Sequence, residues 1–493
     1  MFITKIPARR LPMLAAACTL ISGCMVGPDY VRPKSVEVMP ATFRETEAWK
    51  IARPVDGDLK EKWWELYRDP NLNALEEQVN VSNQTVIQAE AQYRQATTLV
   101  QTARAGLFPT IGAGQAASRT RRAANASGVN PGTATDFQLS LDASWELDIW
   151  GRIRRQVEAS RAGAQASEAD LAAVRLSMQS SLAVDYFQLR TLDAQKKLLN
   201  DILASYRESL ALTRNRYESG VAAKSDLLQA ESQLKTAQAQ AVDIDVQRTQ
   251  LEHAIALLIG KTASGFSLPP APLDLALPPP AIPAYLPSEL LERRPDIAAS
   301  ERLMAEANAQ VGVAGAAYYP RLSLSATGGF DAATIAKWFS WPSRFWALGE
   351  TVTETVFDGG LRQAQTDQAR AAYDATVAGY RQTVLTGFQE VEDNLAAQRI
   401  LKDESAVLAE ALTASRQSLA ITINQYKAGI VGYLNVIVAQ NAELNSEISS
   451  ITVLGRRMTS NVLLIKALGG GWKSGDGQPA VNPLSGGSPP PAR

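Results

Sequence analysis

The side chains that could do chemistry are few in this 493-residue chain. It has one histidine, His253, and two cysteines, Cys18 and Cys24. A structural zinc site needs about four nitrogen or sulfur ligands, and a catalytic triad would have to use the single imidazole. The stretch Gly112-Ala113-Gly114 begins like a dinucleotide loop but lacks the third glycine and the helix that should follow. We therefore predict that the chain is not an enzyme and has no catalytic residue, metal site or cofactor.

The overall composition is globular and almost neutral. Lysine and arginine number 49 and aspartate and glutamate 50, so the basic excess typical of nucleic-acid binding is missing. The prolines are unevenly placed, with none in residues 132–268 and none in 343–478. Because an interior proline costs a helix about 3 kcal/mol, these two tracts can hold unusually long helices.

The first residues are typical of a secretion signal. Lys5, Arg9 and Arg10 precede an apolar run from Leu11 to Ile21 that is too short to cross a bilayer as a helix. The run leads through Ser22-Gly23 to Cys24, a pattern that resembles the bacterial lipobox. We predict that residues 1–23 are removed and that a lipid is attached to Cys24; the alternative is a free cysteine behind a conventional signal.

Two halves of the chain match each other, which indicates an internal duplication. Arg216-Tyr217-Glu218-Ser219-Gly220-Val221 recurs 209 residues later as Gln425-Tyr426-Lys427-Ala428-Gly429-Ile430. Phe108-Pro109 likewise recurs as Tyr319-Pro320, and Asp148 as Asp358. The predicted segments are a lipidated N-terminal segment (24–70), a first repeat (71–267), a proline-rich connector (268–286), a second repeat (287–468) and a flexible tail (469–493).

Each repeat is predicted to be mainly helical. Apolar residues recur with coiled-coil spacing, for example Ile437, Leu444, Ile451, Met458 and Ile465 in the last helix. At about 1.5 Å per residue, the longest run would extend roughly 100 Å. We predict helices over 71–107, 152–218, 223–259, 287–317, 361–427 and 433–468.

Four segments have the alternating pattern of strands. Residues 137–149 place seven apolar side chains on one face and six polar ones on the other, long enough for a membrane strand with lipid outside and water inside. A half-buried strand of a soluble sheet is the alternative. The pattern is weaker in 110–118, 320–330 and 346–357, and in the last of these Glu350 and Glu354 fall in phase with apolar residues. The result is one hairpin per repeat, at 109–150 and 319–358, and four strands cannot close a barrel without other chains.

Five short motifs occur in one order along the chain: Cys24-Met25-Val26-Gly27-Pro28-Asp29-Tyr30, Trp63-Trp64 with Asp69-Pro70, Leu107-Phe108-Pro109, Trp145 to Arg152, and Phe357-Asp358-Gly359-Gly360. Together they resemble the outer-membrane factor family of TolC-like efflux channels, and most closely its NodT-type lipoproteins. The resemblance implies a homotrimer with a twelve-stranded outer-membrane β-barrel and a helical α-barrel tunnel across the periplasm. It also implies a periplasmic adaptor and an inner-membrane efflux pump as partners, and passive conduction of small molecules out of the cell.

The same resemblance suggests where a gate should lie. The long helices reverse near Gly220 and Gly429, and in the family the periplasmic mouth is held shut by Tyr, Asp and Arg contacts near such turns. By position, Tyr217, Asp226 and Tyr426 match that pattern, and we expect Asp226 and Tyr426 to help hold the closed state. The sequence departs from the pattern at Val431, Asn435 and Val438. An apolar closure is therefore the alternative, formed by Val431, Tyr433, Leu434 and Val438.

A protein of another class could share some of these features. A lipid-anchored periplasmic coiled-coil scaffold or adaptor would also carry long helical hairpins, but such proteins usually carry one hairpin with soluble β modules. Here two helical hairpins flank two alternating strand pairs. The main prediction is therefore an outer-membrane channel, and the scaffold without a pore is the alternative.

Overall fold

The computed structural model of the protein describes residues 25–35, 43, 62–123, 132–274, 278–282 and 293–472. The predicted signal peptide, Cys24 and most of the predicted tail lie outside the described residues. The chain forms two compact units, each built from three stretches. The first unit consists of Met1–Lys34, Gln92–Glu168 and Ala299–Arg381, and the second of Ser35–Ala91, Ala169–Ala298 and Gln382–Arg493.

Helices dominate the described residues, and the longest lie in the proline-free tracts, as predicted. Two helices contain 67 residues each, and each of them is followed after a short turn by a 35-residue helix. Within the described part of the chain, every helix is either too short or too polar to cross a membrane. The helices are α1 (Pro70–Ser82), α2 (Gln84–Ala105), α3 (Arg152–Glu218), α4 (Lys224–Leu258), α5 (Pro295–Ala316), α6 (Leu361–Lys427) and α7 (Tyr433–Ala467).

The prediction of one helix over 71–107 was wrong, because the helix is interrupted at Asn83. This residue is extended, with ψ 120°, and its side-chain oxygen accepts hydrogen bonds from the N–H groups of Thr85 (2.9 Å) and Val86 (3.1 Å). Its amide nitrogen donates to the Leu258 carbonyl at 2.7 Å. An asparagine side chain that caps a helix competes with helix continuation, so α2 starts anew. The helix predicted over 287–317 is interrupted at Arg294 in the described residues, and it is continuous from Pro295 to Ala316.

The first unit contains a four-stranded antiparallel sheet in the order β1-β2-β3-β4. Its strands are β1 (Thr110–Arg122), β2 (Gly132–Leu147), β3 (Arg321–Ala332) and β4 (Arg344–Thr353). The first two extend further toward their connecting loop than the sequence indicated. The predicted end of β4 at 357 was wrong, since the strand stops at Thr353 and Glu354 lies beyond it.

Equivalent corners in the two repeats join strands to helices. The Asp148 carboxylate accepts hydrogen bonds from the N–H groups of Ile153 (2.9 Å) and Arg154 (2.8 Å), and so caps the start of α3. Asp358 does the same for α6, where it accepts from the Arg362 N–H and side chain. The Arg362 guanidinium lowers the pKa of the Asp358 carboxyl. These are the aspartates that the duplication had matched.

The second unit contains the main apolar cores. Four of the residues predicted to recur with coiled-coil spacing in the last helix are buried: Leu444, Ile451, Met458 and Ile465. Trp63 and Trp64 lie in a short 3-10 helix, and both are fully buried in one cluster with Met458 and Ile465. Glu76 is also fully buried there, and its carboxyl oxygens lack hydrogen-bond partners within the described residues. Burial raises the pKa of Glu76 well above its ordinary value.

A polar network holds the described start of the proline-rich connector in this unit. Asp193 forms ion pairs with Arg190 (3.1 Å) and Arg248 (2.7 Å). Arg190 donates to the Pro269 carbonyl at 2.8 Å and Arg248 to the Leu268 carbonyl at 2.6 Å. An extended proline-rich segment has no internal hydrogen bonds, so side chains of the long helices supply them.

Candidate functional site

The two helical hairpins of the second unit reverse at the turns that the sequence singled out. Gly220 and Gly429 adopt positive φ angles of 75° and 77°. After each glycine, a backbone N–H reaches back to the helix end: Val221 donates to the Arg216 carbonyl (2.8 Å) and Ile430 to the Gln425 carbonyl (2.9 Å). Glycine is favoured here because a left-handed residue terminates a helix with its last carbonyls satisfied.

A tyrosine pair braces the second of these turns. Tyr426 and Tyr433 are 4% and 2% exposed, and their rings meet edge to face at 5.4 Å between centroids. The Tyr426 hydroxyl donates to Thr213 Oγ1 at 3.2 Å. The Arg216 guanidinium lies 4.8 Å from the Tyr426 ring centroid and donates to the Tyr426 and Lys427 carbonyls. Burial raises the pKa of Tyr433 to about 12.

The remaining predicted gate residues divide by exposure. Leu434 and Val438 are 59% and 62% exposed and Tyr217 is 38% exposed, whereas Val431 is half-buried against the tyrosine pair. Asn435 is exposed. The structure thus brings Tyr426, Tyr433 and Val431 together inside the chain and leaves Leu434 and Val438 on its surface.

Asp226 does not join the tyrosine pair. It lies in the first turn of α4, where its backbone N–H donates to the Ala223 carbonyl at 3.1 Å. A carboxylate at the N-terminal end of a helix is favoured by the helix dipole. This effect accounts for an acidic residue at position 226 without any role in closing the channel. The Tyr426 hydroxyl donates instead to Thr213.

Sequence reasoning missed Arg216, which lies within the repeated motif. Its side chain joins the end of α3 to the end of α6, through the two carbonyls and the ring of Tyr426. A basic residue in the last turn of a helix was an available signal, since cations bind the carbonyl groups left free there.

The sheet of the first unit has one apolar face. Residues directly opposite in neighbouring strands share a face, so Leu139, Leu141 and Trp145 lie with Phe330, Gly328 and Leu324. The register places Glu350 on this same face, opposite Leu324. The other face carries the polar set, in which Thr327 and Ser140 donate to the Asp142 carboxylate at 2.7 and 2.8 Å.

The residues that follow Cys24 are fixed to the first unit, a segment that we call the strap (residues 25–34). The Val26 N–H donates to the Trp150 carbonyl at 3.0 Å, just past the end of β2. Arg155 is 1% exposed and donates to the carbonyls of Val26 (3.2 Å) and Gly27 (3.1 Å). The same guanidinium pairs with Asp29 (2.9 Å). The strap therefore starts beside the end of β2.

Further contacts hold the rest of the strap. Asn308 donates to the Pro28 carbonyl at 2.9 Å, and the Tyr30 hydroxyl donates to Glu301 at 2.7 Å. Gly27 has φ +100° and packs so closely on Gly312 that a Cβ at residue 27 would lie 2.4 Å from the Gly312 Cα. A side chain at residue 27 would therefore both strain the backbone and overlap the helix.

Comparison with known proteins gives the family. The family model for outer membrane efflux proteins matches residues 75–261 and 286–470. The chain is 30% identical over 483 residues to the probable efflux pump outer membrane protein TtgC of Pseudomonas putida, covering 95% of this chain and 97% of that protein. Outer membrane protein OprJ of Pseudomonas aeruginosa is 30% identical over 471 residues, with 95% and 97% covered.

The fold is shared with solved structures of such proteins. The outer-membrane channel OprN superposes with a TM-score of 0.84 at 30% identity, covering 91% of this chain and 99% of that one. The predicted fold class, with its duplicated helical tunnel and membrane sheet, is confirmed, as are the channel function and the outer-membrane location. These similarities do not support the scaffold alternative. The chain belongs to the outer membrane efflux protein family.

Proposed function

We propose that three copies of this chain form one outer-membrane channel, with twelve strands in its barrel. Each copy has a sheet with one apolar face, and within the described residues its outer strands, β1 and β4, each pair on one side only. Unpaired N–H and C=O groups are too costly in lipid, so a four-stranded sheet must be closed by strands of other copies. Bacterial barrels start at about eight strands, which excludes a single copy. The open sheet edges carry the proposal.

We assign the channel to a tripartite efflux system, in which it conducts small molecules passively from an inner-membrane pump and a periplasmic adaptor to the exterior. Relatives named as efflux pump outer membrane proteins support this assignment. Val221 and Ile430 follow the matched turn glycines and are 66% and 73% exposed. An aliphatic residue exposed at both hairpin tips gives the adaptor an apolar surface to contact.

Lipidation of Cys24 is the second part of the proposal. The strap fixes the next residues beside the end of β2, and Met25 lies against Gly151 at the start of α3. Met25, the residue that directly follows Cys24 in the sequence, therefore lies near the end of the sheet, where the membrane surface is expected. A lipid on Cys24 would enter the bilayer next to the strands. Replacing Cys24 with Ser should abolish incorporation of radioactive palmitate, and unchanged incorporation would contradict this part.

The closed mouth is the third part. Of the predicted gate residues, Tyr426 and Tyr433 serve the packing of one chain, while Leu434 and Val438 expose apolar surface near the tip. We assign closure to these exposed apolar side chains of three copies, because apolar surface removed from water favours association. Tyr426 then braces the turn, and the Asp226 carboxylate interacts favourably with the dipole of α4 in its first turn.

Single-channel conductance in planar bilayers tests the function and the gate separately. Wild-type trimers should conduct weakly, and the Leu434→Ala, Val438→Ala variant should conduct more and admit more antibiotic in intact cells. Val242→Ala is a matched control, since Val242 is 68% exposed on the shaft of α4. The Asp226→Ala, Tyr426→Phe variant should behave as wild type.

Different outcomes contradict different parts of the proposal. Absence of any conductance in all variants would contradict the channel. Increased conductance in the Asp226→Ala, Tyr426→Phe variant alone would contradict the apolar closure and restore the polar gate.

A further inference from the structure

The two outer strands of the sheet, β1 and β4, run in opposite directions, and the proposal below rests on the trimer proposed above. Strand β1 has 13 residues and β4 has 10. Neighbouring strands in the sheet are all antiparallel, so β4 of one copy can also pair with β1 of the next copy in an antiparallel arrangement. We call this junction of β4 with β1 of the next copy the seam. Its register decides which side chains meet in the lipid.

Two requirements leave two registers. Every residue of the shorter strand must find a partner within the longer one, and apolar faces must stay on one side of the seam. Pairing Thr353 with Thr110 of the partner subunit, or with Gly112 of the partner subunit, meets both requirements. A shift by two more residues in either direction runs past an end of β1, which spans Thr110–Arg122.

Barrel geometry agrees with these limits. Within one copy, Thr110 is level with Gly349 through Ser144 and Ser325. The first register pairs Gly349 with Gly114 of the partner subunit and the second with Ala116 of the partner subunit. With strand spacing near 4.8 Å and a rise of 3.3–3.4 Å per residue, the strands would tilt by about 35° and about 46°. Membrane strands tilt by about 35–45°, so both registers are acceptable.

The polar residues on the apolar face distinguish the two registers. Glu350 lies opposite Leu324 on that face, and Gln115 lies opposite Leu139 on it. Within the described residues neither side chain makes a hydrogen bond. With Thr353 paired to Thr110 of the partner subunit, Glu350 would face an alanine and Gln115 a leucine. A carboxylate and an amide would then each lie against lipid without a partner, which is unfavourable.

We propose that Thr353 pairs with Gly112 of the partner subunit, so that Glu350 meets Gln115 of the partner subunit across each seam. The amide of glutamine donates to the carboxylate, which pairs the two polar groups that the chain alone leaves unsatisfied. The same register places Trp346 opposite Arg119 of the partner subunit, a favourable cation–π pair. Glu350, which the alternating pattern does not explain, thereby becomes a residue that fixes how copies join.

Cysteine pairs test the register directly in outer-membrane vesicles. Residues directly opposite have Cβ atoms about 4.5–5.5 Å apart, whereas diagonal neighbours are about 7–8 Å apart, too far for a disulfide. On oxidation with copper phenanthroline, the Gln115→Cys, Glu350→Cys variant should give a covalent trimer that survives boiling. The Gln115→Cys, Leu348→Cys variant, the matched control for the other register, should stay monomeric after boiling.

A second reporter protects the test against a variant that fails to insert. Arg119→Cys with Trp346→Cys probes the same register and should also cross-link. Cross-linking by the Leu348 pair, or by neither expected pair in a protein that migrates as a trimer before boiling, would overturn the register. A wild-type protein that shows no trimer before boiling would instead overturn the proposed assembly.

Discussion

Replacing Arg155 with methionine should release the strap. The side chain is 1% exposed, and it makes two bonds to strap carbonyls and two to carboxylates. Methionine keeps most of the packing volume but donates no hydrogen bond. The carboxylates of Asp29 and Glu158 are 86% and 38% exposed, so water can replace the guanidinium there and little is lost.

The two hydrogen bonds to strap carbonyls therefore determine how much binding free energy the strap loses in the variant. A hydrogen bond to a charged donor contributes about 1.5–3 kcal/mol, so losing two at the lower value costs the strap about 3 kcal/mol. That energy corresponds to an increase of roughly 10² in the fraction of time the strap is open. The amide of Val26, which donates to Trp150, should exchange its hydrogen about that much faster.

Hydrogen exchange measured by mass spectrometry on detergent-extracted trimers is the assay. Arg161→Met is a matched control, since Arg161 is an exposed arginine of the same helix. Arg155→Lys should give an intermediate rate, because an ammonium group cannot reproduce the guanidinium fork. If the Val26 amide exchanged equally in wild type and Arg155→Met, the strap would be held by other contacts and the reasoning would fail.

Three further predictions concern the helices. Burial raises the pKa of Asp185 to about 6, so the native carboxyl keeps a proton that the unfolded chain releases near pH 4. The free energy of unfolding therefore falls as the pH rises from about 4 to about 6. Asp185→Asn should therefore raise the free energy of unfolding by about 1–2 kcal/mol at pH 7.5, allowing for partial exposure, and change it little at pH 4; an equal gain in thermal melts at both pH values would contradict this. Asn83→Ala removes a cap and the bond to Leu258 and should cost about 1–2 kcal/mol in urea unfolding, whereas no loss would mean that the helix simply continues. Gly429→Ala should cost about 1–2 kcal/mol through its positive φ alone, because only open space and the end of a side chain surround it. Gly432→Ala, at φ −77°, is its control and should stay within about 0.5 kcal/mol.

The long helices and the strands could be predicted because their signals are local. A run without proline and a seam of apolar residues define α3 and α7, and strict alternation defines β2. The break at Asn83 also has a local cause, but helix-forming residues on both sides outweighed one capping residue. The limit at Asn83 was wrong because a side chain, and not the pattern, ends the helix there.

The contacts of the site could not be predicted in the same way, because they join residues far apart in the chain. Arg152, Arg154 and Arg155 are neighbours in sequence, and nothing in their spacing shows that only the last is buried under the strap. Its carbonyl partners lie 128 and 129 residues away. Similarly, Tyr426 could be placed near a turn from the sequence, but its environment depends on Arg216 and Thr213 from the other repeat.

The strap also fixes a distance. Only Met25 separates the lipid attachment proposed at Cys24 from Val26, whose N–H is bonded beside the last residues of β2. An acyl chain on Cys24 and the ends of the strands must therefore enter the inner leaflet at the same depth, whatever the thickness of the bilayer around them. Insertion of several residues between Cys24 and Val26 would leave every bond of the strap intact. The depth of the lipid in the bilayer would then no longer be tied to the depth of the barrel.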